Sequence, residues 1–171
     1  IKTGNIVAVK AIGGYLLMAD ASNCKVIRTL RQRKNRPTKP LAILYPNEKS
    51  LINDVHTNST QLKAWNSIEG PIVLFRLRKH PKSGIDKDLI APKLNEIGAM
   101  RPYAPLLQII ASEFGRPIIA TSGNISGSPI QYDDQQAFKA LRNVADYFLI
   151  NDREIVLPQD DSVIRFSDKY Q

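Results

Sequence analysis

Apolar residues in this chain come in short runs, each cut off by glycine or proline. Residues 6–12 (IVAVKAI) stop at Gly13-Gly14, and residues 41–45 (LAILY) stop at Pro46. Residues 71–77 (PIVLFRL) and 117–121 (PIIAT) each open on proline. Such short runs, rich in β-branched residues, suit strands of a buried sheet. Residues 15–20, 147–150 and 162–166 read as further strands. Between them, apolar residues recur at helical spacing. Val26, Ile27 and Leu30 mark a helix capped by Ser22 or Asn23 and running to about Lys34. Residues 103–114 form another, closed by Gly115, and Asp133 or Asp134 caps one that reaches about Asn143. Short helices are expected at 50–53 and 60–67. Strands and helices intermix without strict alternation, which predicts an α/β domain with a mixed, twisted sheet covered by helices.

The length of 171 residues suits one domain spanning 1–171. No apolar run approaches the ~18 residues of a membrane helix, and no signal-peptide pattern opens the chain, so a soluble cytoplasmic protein without membrane contact is expected. Because it begins at Ile1, the chain reads as a piece of something longer. The sole cysteine, Cys24, excludes a disulfide framework and a cysteine-rich zinc site. His56 and His80 are isolated and lack metal-ligand spacing. Trp65 reads as packing.

The net charge of +8 points to an anionic partner, either a nucleotide or a nucleic acid. The excess is uneven. Residues 25–39 hold Lys25, Arg28, Arg31, Arg33, Lys34, Arg36 and Lys39 with no acidic residue, and Arg76, Arg78, Lys79 and Lys82 form a second cluster around His80. In the helical half, Lys25, Arg28 and Arg31 suit the solvated side of the helix. Beyond it, Pro37 and Pro40 fix an exposed turn that aims Arg33, Lys34, Arg36 and Lys39 outward, an arrangement suited to phosphate.

A second informative stretch follows residues 117–121. Thr121-Ser122-Gly123-Asn124-Ile125-Ser126-Gly127 presents hydroxyl and amide groups on a backbone that glycine lets approach a ligand closely. It lies after a strand, where open α/β sheets bind ligands. Neither a Walker A loop nor a dinucleotide fingerprint is present. Asp160-Asp161-Ser162 precedes the last strand, and its carboxylates suit either Mg²⁺ or a solvated strand end. The long polar stretch 78–95 reads as a functional loop.

Taken in order, these stretches resemble the YrdC-like family of carbamoyl-type adenylate synthases, through Lys34-x-Arg36-Pro37-x-Lys39-Pro40-Leu41 and then residues 121–127. Residues 6–23, 31–43, 91–106 and 148–165 resemble, within it, the YrdC-like domain of the hydrogenase-maturation carbamoyltransferases, the HypF branch. The threonine-using branch, which makes threonylcarbamoyl-AMP for tRNA modification, usually carries a Thr-Glu-Thr type segment. This chain has Ala11-Ile12-Gly13 there, which favours a smaller acceptor such as carbamate. Arg101 and residues 157–159 (LPQ) depart from the branch's pattern and could alter phosphate contacts.

The resemblance implies a YrdC-like (RibB-like) α/β fold and joining of ATP with carbamate, derived from carbamoyl phosphate, to give carbamoyl adenylate and pyrophosphate. It implies Mg²⁺ as cofactor, with metal ligands unknown. Arg36 and Lys39 are the first expected phosphate contacts and Lys34 and Arg33 the next, with Lys10 at the carbamoyl end. Ser122 and Asn124 are expected to bond nucleotide or acyl oxygens with Ser126 in support, and Ser162 and Arg165 to close the far side. Implied partners are acylphosphatase-like, zinc-finger and carbamoyl-transfer domains of a longer multidomain protein, and the acceptor protein HypE. The alternatives are the threonine-using enzyme and a module that binds double-stranded RNA.

Overall fold

The computed structural model describes residues 1–125 and 127–167. Strands β1 (Val7–Lys10) and β2 (Tyr15–Asp20) form an antiparallel hairpin. The turn begins sooner than residues 6–12 suggested, because Ala11 N–H already donates to Gly14 O at 2.9 Å. Helix α1 (Cys24–Arg33) starts at Asn23, whose side chain accepts from the N–H groups of Lys25 and Val26. The short strand β3 (Ile43–Leu44) precedes α2 (Glu48–Asp54), β4 (Val55–His56) and α3 (Ser59–Trp65), the last opened by a reciprocal cap between Asn58 and Gln61. Next come β5 (Ile72–Leu77), α4 (Lys87–Ile90), β6 (Glu96–Met100) and α5 (Pro105–Phe114). Pro105 suits the first turn of α5, and Gly115 closes it at φ 72°. The chain then forms β7 (Ile118–Ser122), α6 (Asp134–Leu141) capped by Asp133, β8 (Tyr147–Leu149) and β9 (Val163–Ile164).

The strands join in one mixed sheet of order β4-β5-β6-β3-β7-β2-β1-β8, with β9 pairing in parallel along the first half of β5. The expected α/β architecture is therefore present. Two strands were not anticipated. β6 contains Gly98 and Ala99, residues of poor strand propensity, and exists because β3 and β5 pair with it on both sides. β4 has two residues and depends on the end of β5. The stretch 78–95 is not wholly loop, since it contains α4.

Each strand sends alternate residues to opposite faces. One face buries Leu17, Ala19, Ile43, Val73, Phe75, Ile97 and Ile119 against the apolar sides of α1 and α6 and against Trp65. The other face buries Leu16, Met18, Leu44, Met100 and Ile118 against Leu107, Ala111 and Phe114 of α5. Helix α5 thus packs on this second face beside β2, β3 and β7. Farther along, Ile72, Leu74, Gly98 and Ala120 floor an open cleft. Among the described residues no helix is long and apolar enough to cross a membrane.

The cleft's rim depends on close backbone packing at Gly123. Its N–H donates to Tyr15 O at 2.5 Å, and an added Cβ would lie 2.6 Å from both Tyr15 O and Tyr15 Cβ. Tyr15 belongs to a central strand and cannot retreat cheaply. Gly123→Ala is expected to cost about 1–3 kcal/mol, read as a lowered urea midpoint. An unchanged midpoint would show that the loop has room to move.

Candidate functional site

The cleft encloses about 1100 Å³ above β5, β6 and β7. Its walls carry Arg36, Lys39, Arg76, Lys93 and Arg165 against Glu96, Asp160 and Asp161, five basic side chains to three acidic. An anion is the favoured occupant.

The basic wall is built from the end of α1. Its buried stripe contains Val26, Ile27, Leu30 and Arg31, so Arg31 does not lie on the solvated side as expected. Its guanidinium donates to Leu89 O at 2.7 Å, Ile90 O at 3.0 Å, Arg36 O at 2.8 Å, Lys39 O at 3.1 Å and Pro37 O at 3.3 Å. One planar fork thereby gathers the carbonyls of the turn that follows and anchors them to the end of α4. Arg36 continues the pattern, donating through Nε to Lys39 O at 3.3 Å and through Nη2 to Pro40 O. Burial, and then the Arg31 charge, lower the pKa of Arg36 below the usual guanidinium value. Arg36 and Lys39 both line the cleft, Lys39 exposed at the rim.

Lys34 stands beneath the turn and is fully buried. Its ammonium donates to Ser122 O at 2.6 Å, Asn124 O at 2.5 Å and Asn124 Oδ1 at 2.6 Å. Burial brings its pKa down to about 7, and the charges of Arg36 and Lys39 push in the same direction. Lys34 thus connects the two motifs read from the sequence, rather than lining the cleft itself. Ser122 Oγ donates to Asn124 Oδ1 at 3.0 Å, and Asn124 Nδ2 donates to Ser128 O. Ser122, Asn124 and Ser128 line the cleft together with Arg36. Ser126 lies outside the described residues.

The far wall comes from residues 159–165. Gln159 N–H donates to Gly13 O at 2.8 Å, which docks this segment on the β1–β2 turn. Asp160 and Asp161 line the cleft. Asp161 is pushed above the ordinary carboxylate range by burial, against the opposing hydrogen bond from Tyr103. Arg165 pairs with Glu96 at 3.0 Å near the mouth. Ser162 supplies its backbone carbonyl to Ile72 N–H at 2.8 Å, while its side chain is exposed and does not line the cleft.

Two other expected residues point elsewhere. Lys10 pairs with Asp134 at 2.9 Å and donates to Asn151 O at 3.2 Å, while Tyr15 OH donates to Asp134 at 2.6 Å. It clamps the hairpin to α6, away from the cleft. Arg33 pairs with Asp146 at 2.7 Å and donates to Val144 O at 3.1 Å. Both basic groups are paired with carboxylates that do not line the cleft. Arg101 donates to Asn66 O at 2.9 Å and likewise does not line the cleft. Conversely, Arg76 and Lys93 join the cleft without having been expected there.

Among the described residues, no three His, Cys, Asp or Glu converge to hold a metal. The donor set fits Mg²⁺ only as Asp160 and Asp161 supplemented by phosphate oxygens, the usual way a nucleotide-associated Mg²⁺ is held.

Comparison with known proteins gives a consistent result. The chain is 39% identical over 165 residues to a carbamoyltransferase HypF of Synechocystis, covering 96% of this chain and 21% of that protein. It is 39% identical to a Rhodobacter capsulatus carbamoyltransferase HypF, covering 96% of the chain and 22% of the relative. The chain thus spans about a fifth of the length of these curated relatives. A crystal structure of full-length HypF in a phosphate- and nucleotide-bound form superposes with a TM-score of 0.91 at 37% identity, over 96% of this chain and 26% of that one. A family model described as telomere recombination matches residues 1–171, and the chain belongs to that family, Sua5/YciO/YrdC.

Proposed function

We propose that this chain is the adenylate-forming domain of a HypF-type carbamoyltransferase, acting in carbamoyl transfer for hydrogenase maturation. Its substrates are ATP and carbamate derived from carbamoyl phosphate. A carbamate oxygen forms a bond to the α-phosphorus, the bond between the α-phosphorus and the bridging oxygen breaks, and the electron pair leaves with pyrophosphate. Carbamoyl adenylate remains. The observation that carries the reading is the turn bearing Arg36 and Lys39, held by Arg31 and lining one cleft together with Ser122 and Asn124.

An anionic nucleophile must approach an anionic triphosphate, and negative charge grows on the leaving group. Fixed cations lower that barrier because they need no reorganisation as charge develops. Arg36 and Lys39 bind phosphate oxygens in this scheme, with Arg165 at the mouth. Lys34 orients Ser122 and Asn124, which position nucleotide or acyl oxygens. Mg²⁺, when bound through Asp160, Asp161 and phosphate oxygens, neutralises part of the triphosphate charge. In the full-length protein the adenylate would pass to a carbamoyl-transfer domain, where the acceptor would bond the carbamoyl carbon as AMP leaves, and HypE would receive the carbamoyl group.

Arg36→Ala is expected to weaken ATP binding and pyrophosphate exchange by roughly tenfold or more, the value of one charged phosphate contact. Unchanged affinity and exchange would contradict the assignment, and threonine-dependent pyrophosphate release would move it to the sister activity. Arg31→Lys tests positioning. An ammonium lacks the planar fork, so ATP affinity is expected to fall several-fold with the far-UV circular dichroism retained, and full affinity would show that the turn holds itself.

Lys34 makes stability depend on pH. Its folded pKa of about 7 lies below the ordinary 10.5, so between these values the unfolded chain binds a proton that the folded chain has released. The penalty of holding Lys34 charged is complete below about pH 7 and is relieved as pH rises through that window. Urea unfolding across the window is expected to give a stability slope that Lys34→Met removes. An identical slope in both proteins would assign it to other groups.

A further inference from the structure

The second basic cluster forms a hollow of its own. On β5, Arg76 has His56 directly across on β4 and Glu96 directly across on β6. Cross-strand neighbours share a face, so Glu96 is well placed to neutralise Arg76. Its carboxylate instead pairs with Arg165 at 3.0 Å, and among the described residues Arg76 has no acidic partner. Lys79 has none either.

Beyond β5 the chain turns back toward α4 and encloses about 590 Å³, lined by His56, Arg76, Arg78, Lys79, Lys87 and Asn95 among others. The carboxylate on this wall, Asp86, is occupied in capping α4, accepting from the N–H groups of Asp88 and Leu89. Arg78 is held in place by its bond to Ile52 O at 3.1 Å. Phe, Tyr and Trp are absent from the lining, which leaves His56 as its one aromatic ring. Arg76 and Asn95 border both this hollow and the main cleft, which makes the two neighbours.

We propose that this hollow is a second anion site that takes a small phosphoanion of the pyrophosphate class. Arg76 from β5 and Lys79 from the turn after β5 meet there with no acidic partner among the described residues, while Lys87 of α4 is already paired with Asp88 at 3.3 Å, so an anion with several oxygens can answer the two uncompensated cations together. Its border with the main cleft at Arg76 lets such an anion pass between the two. The site stands on its own lining and does not depend on which reaction the main cleft performs.

The test is a calorimetric titration with inorganic pyrophosphate, comparing Lys79→Glu in the hollow with Lys39→Glu on the rim of the main cleft. Both side chains are exposed, so neither change threatens the fold. Two classes of pyrophosphate site are expected in the unmodified protein. Lys79→Glu is expected to weaken one of them roughly tenfold with ATP affinity unchanged, and Lys39→Glu to weaken only the other. A titration unaltered by Lys79→Glu, or one abolished entirely by Lys39→Glu, would overturn the proposal. So would a duplex RNA that displaces pyrophosphate from the Lys79 site and binds more tightly as its length grows, since the surface would then serve a nucleic acid. ATP binding is read separately in the same proteins, so a failure of the adenylation reading leaves this result intact.

Discussion

The structure depends on one buried guanidinium. Arg31 faces five carbonyl oxygens and no carboxylate among the described residues. Backbone carbonyls in a tight turn are costly to leave unpaired, at about 1–3 kcal/mol for each buried group. A single fork that serves three of them and ties them to two carbonyls of α4 fixes the path of the turn. The charged side chains on that turn are thereby held in advance of any ligand, which is what electrostatic catalysis on phosphate requires.

The second constraint is the joining of two distant sequence motifs. Lys34 reaches from the end of α1 to the loop after β7 and bonds three of its oxygens. Gly123 lets that loop sit directly on Tyr15, and the Lys10–Tyr15–Asp134 cluster holds Tyr15 in turn. The cleft is therefore lined by the turn gathered around Arg31 and by the loop latched to Lys34. Its floor is the part of the second sheet face beyond α5. Small residues there, Gly98 and Ala120, keep it low, since a side chain at position 98 would meet Ile72.

Much of this was legible in the sequence. The apolar runs and helical stripes located most elements, because burial on one face leaves a periodic trace. β6 left no such trace, since its Gly98 and Ala99 become a strand only through their neighbours. The charge of Arg31 suggests the solvated side of α1, whereas its position in the stripe puts it inside. The spacing 27, 30, 31, 34 puts it on the same stripe as Ile27 and Leu30, with Lys34 at the end. That spacing was the available signal for both buried cations. The carboxylates paired with Lys10 and Arg33, Asp134 and Asp146, lie more than a hundred residues away and no local pattern announces them. The Arg165–Glu96 pair and the cleft positions of Arg76 and Lys93 are likewise products of tertiary folding.

The most direct test of the account is a crystal structure of the protein with ATP, Mg²⁺ and carbamoyl phosphate. Triphosphate oxygens are expected against Arg36 and Lys39, with the ligand in contact with Ser122 and Asn124 and with Asp160 and Asp161. Nucleotide bound elsewhere on the molecule, with this cleft empty, would contradict it.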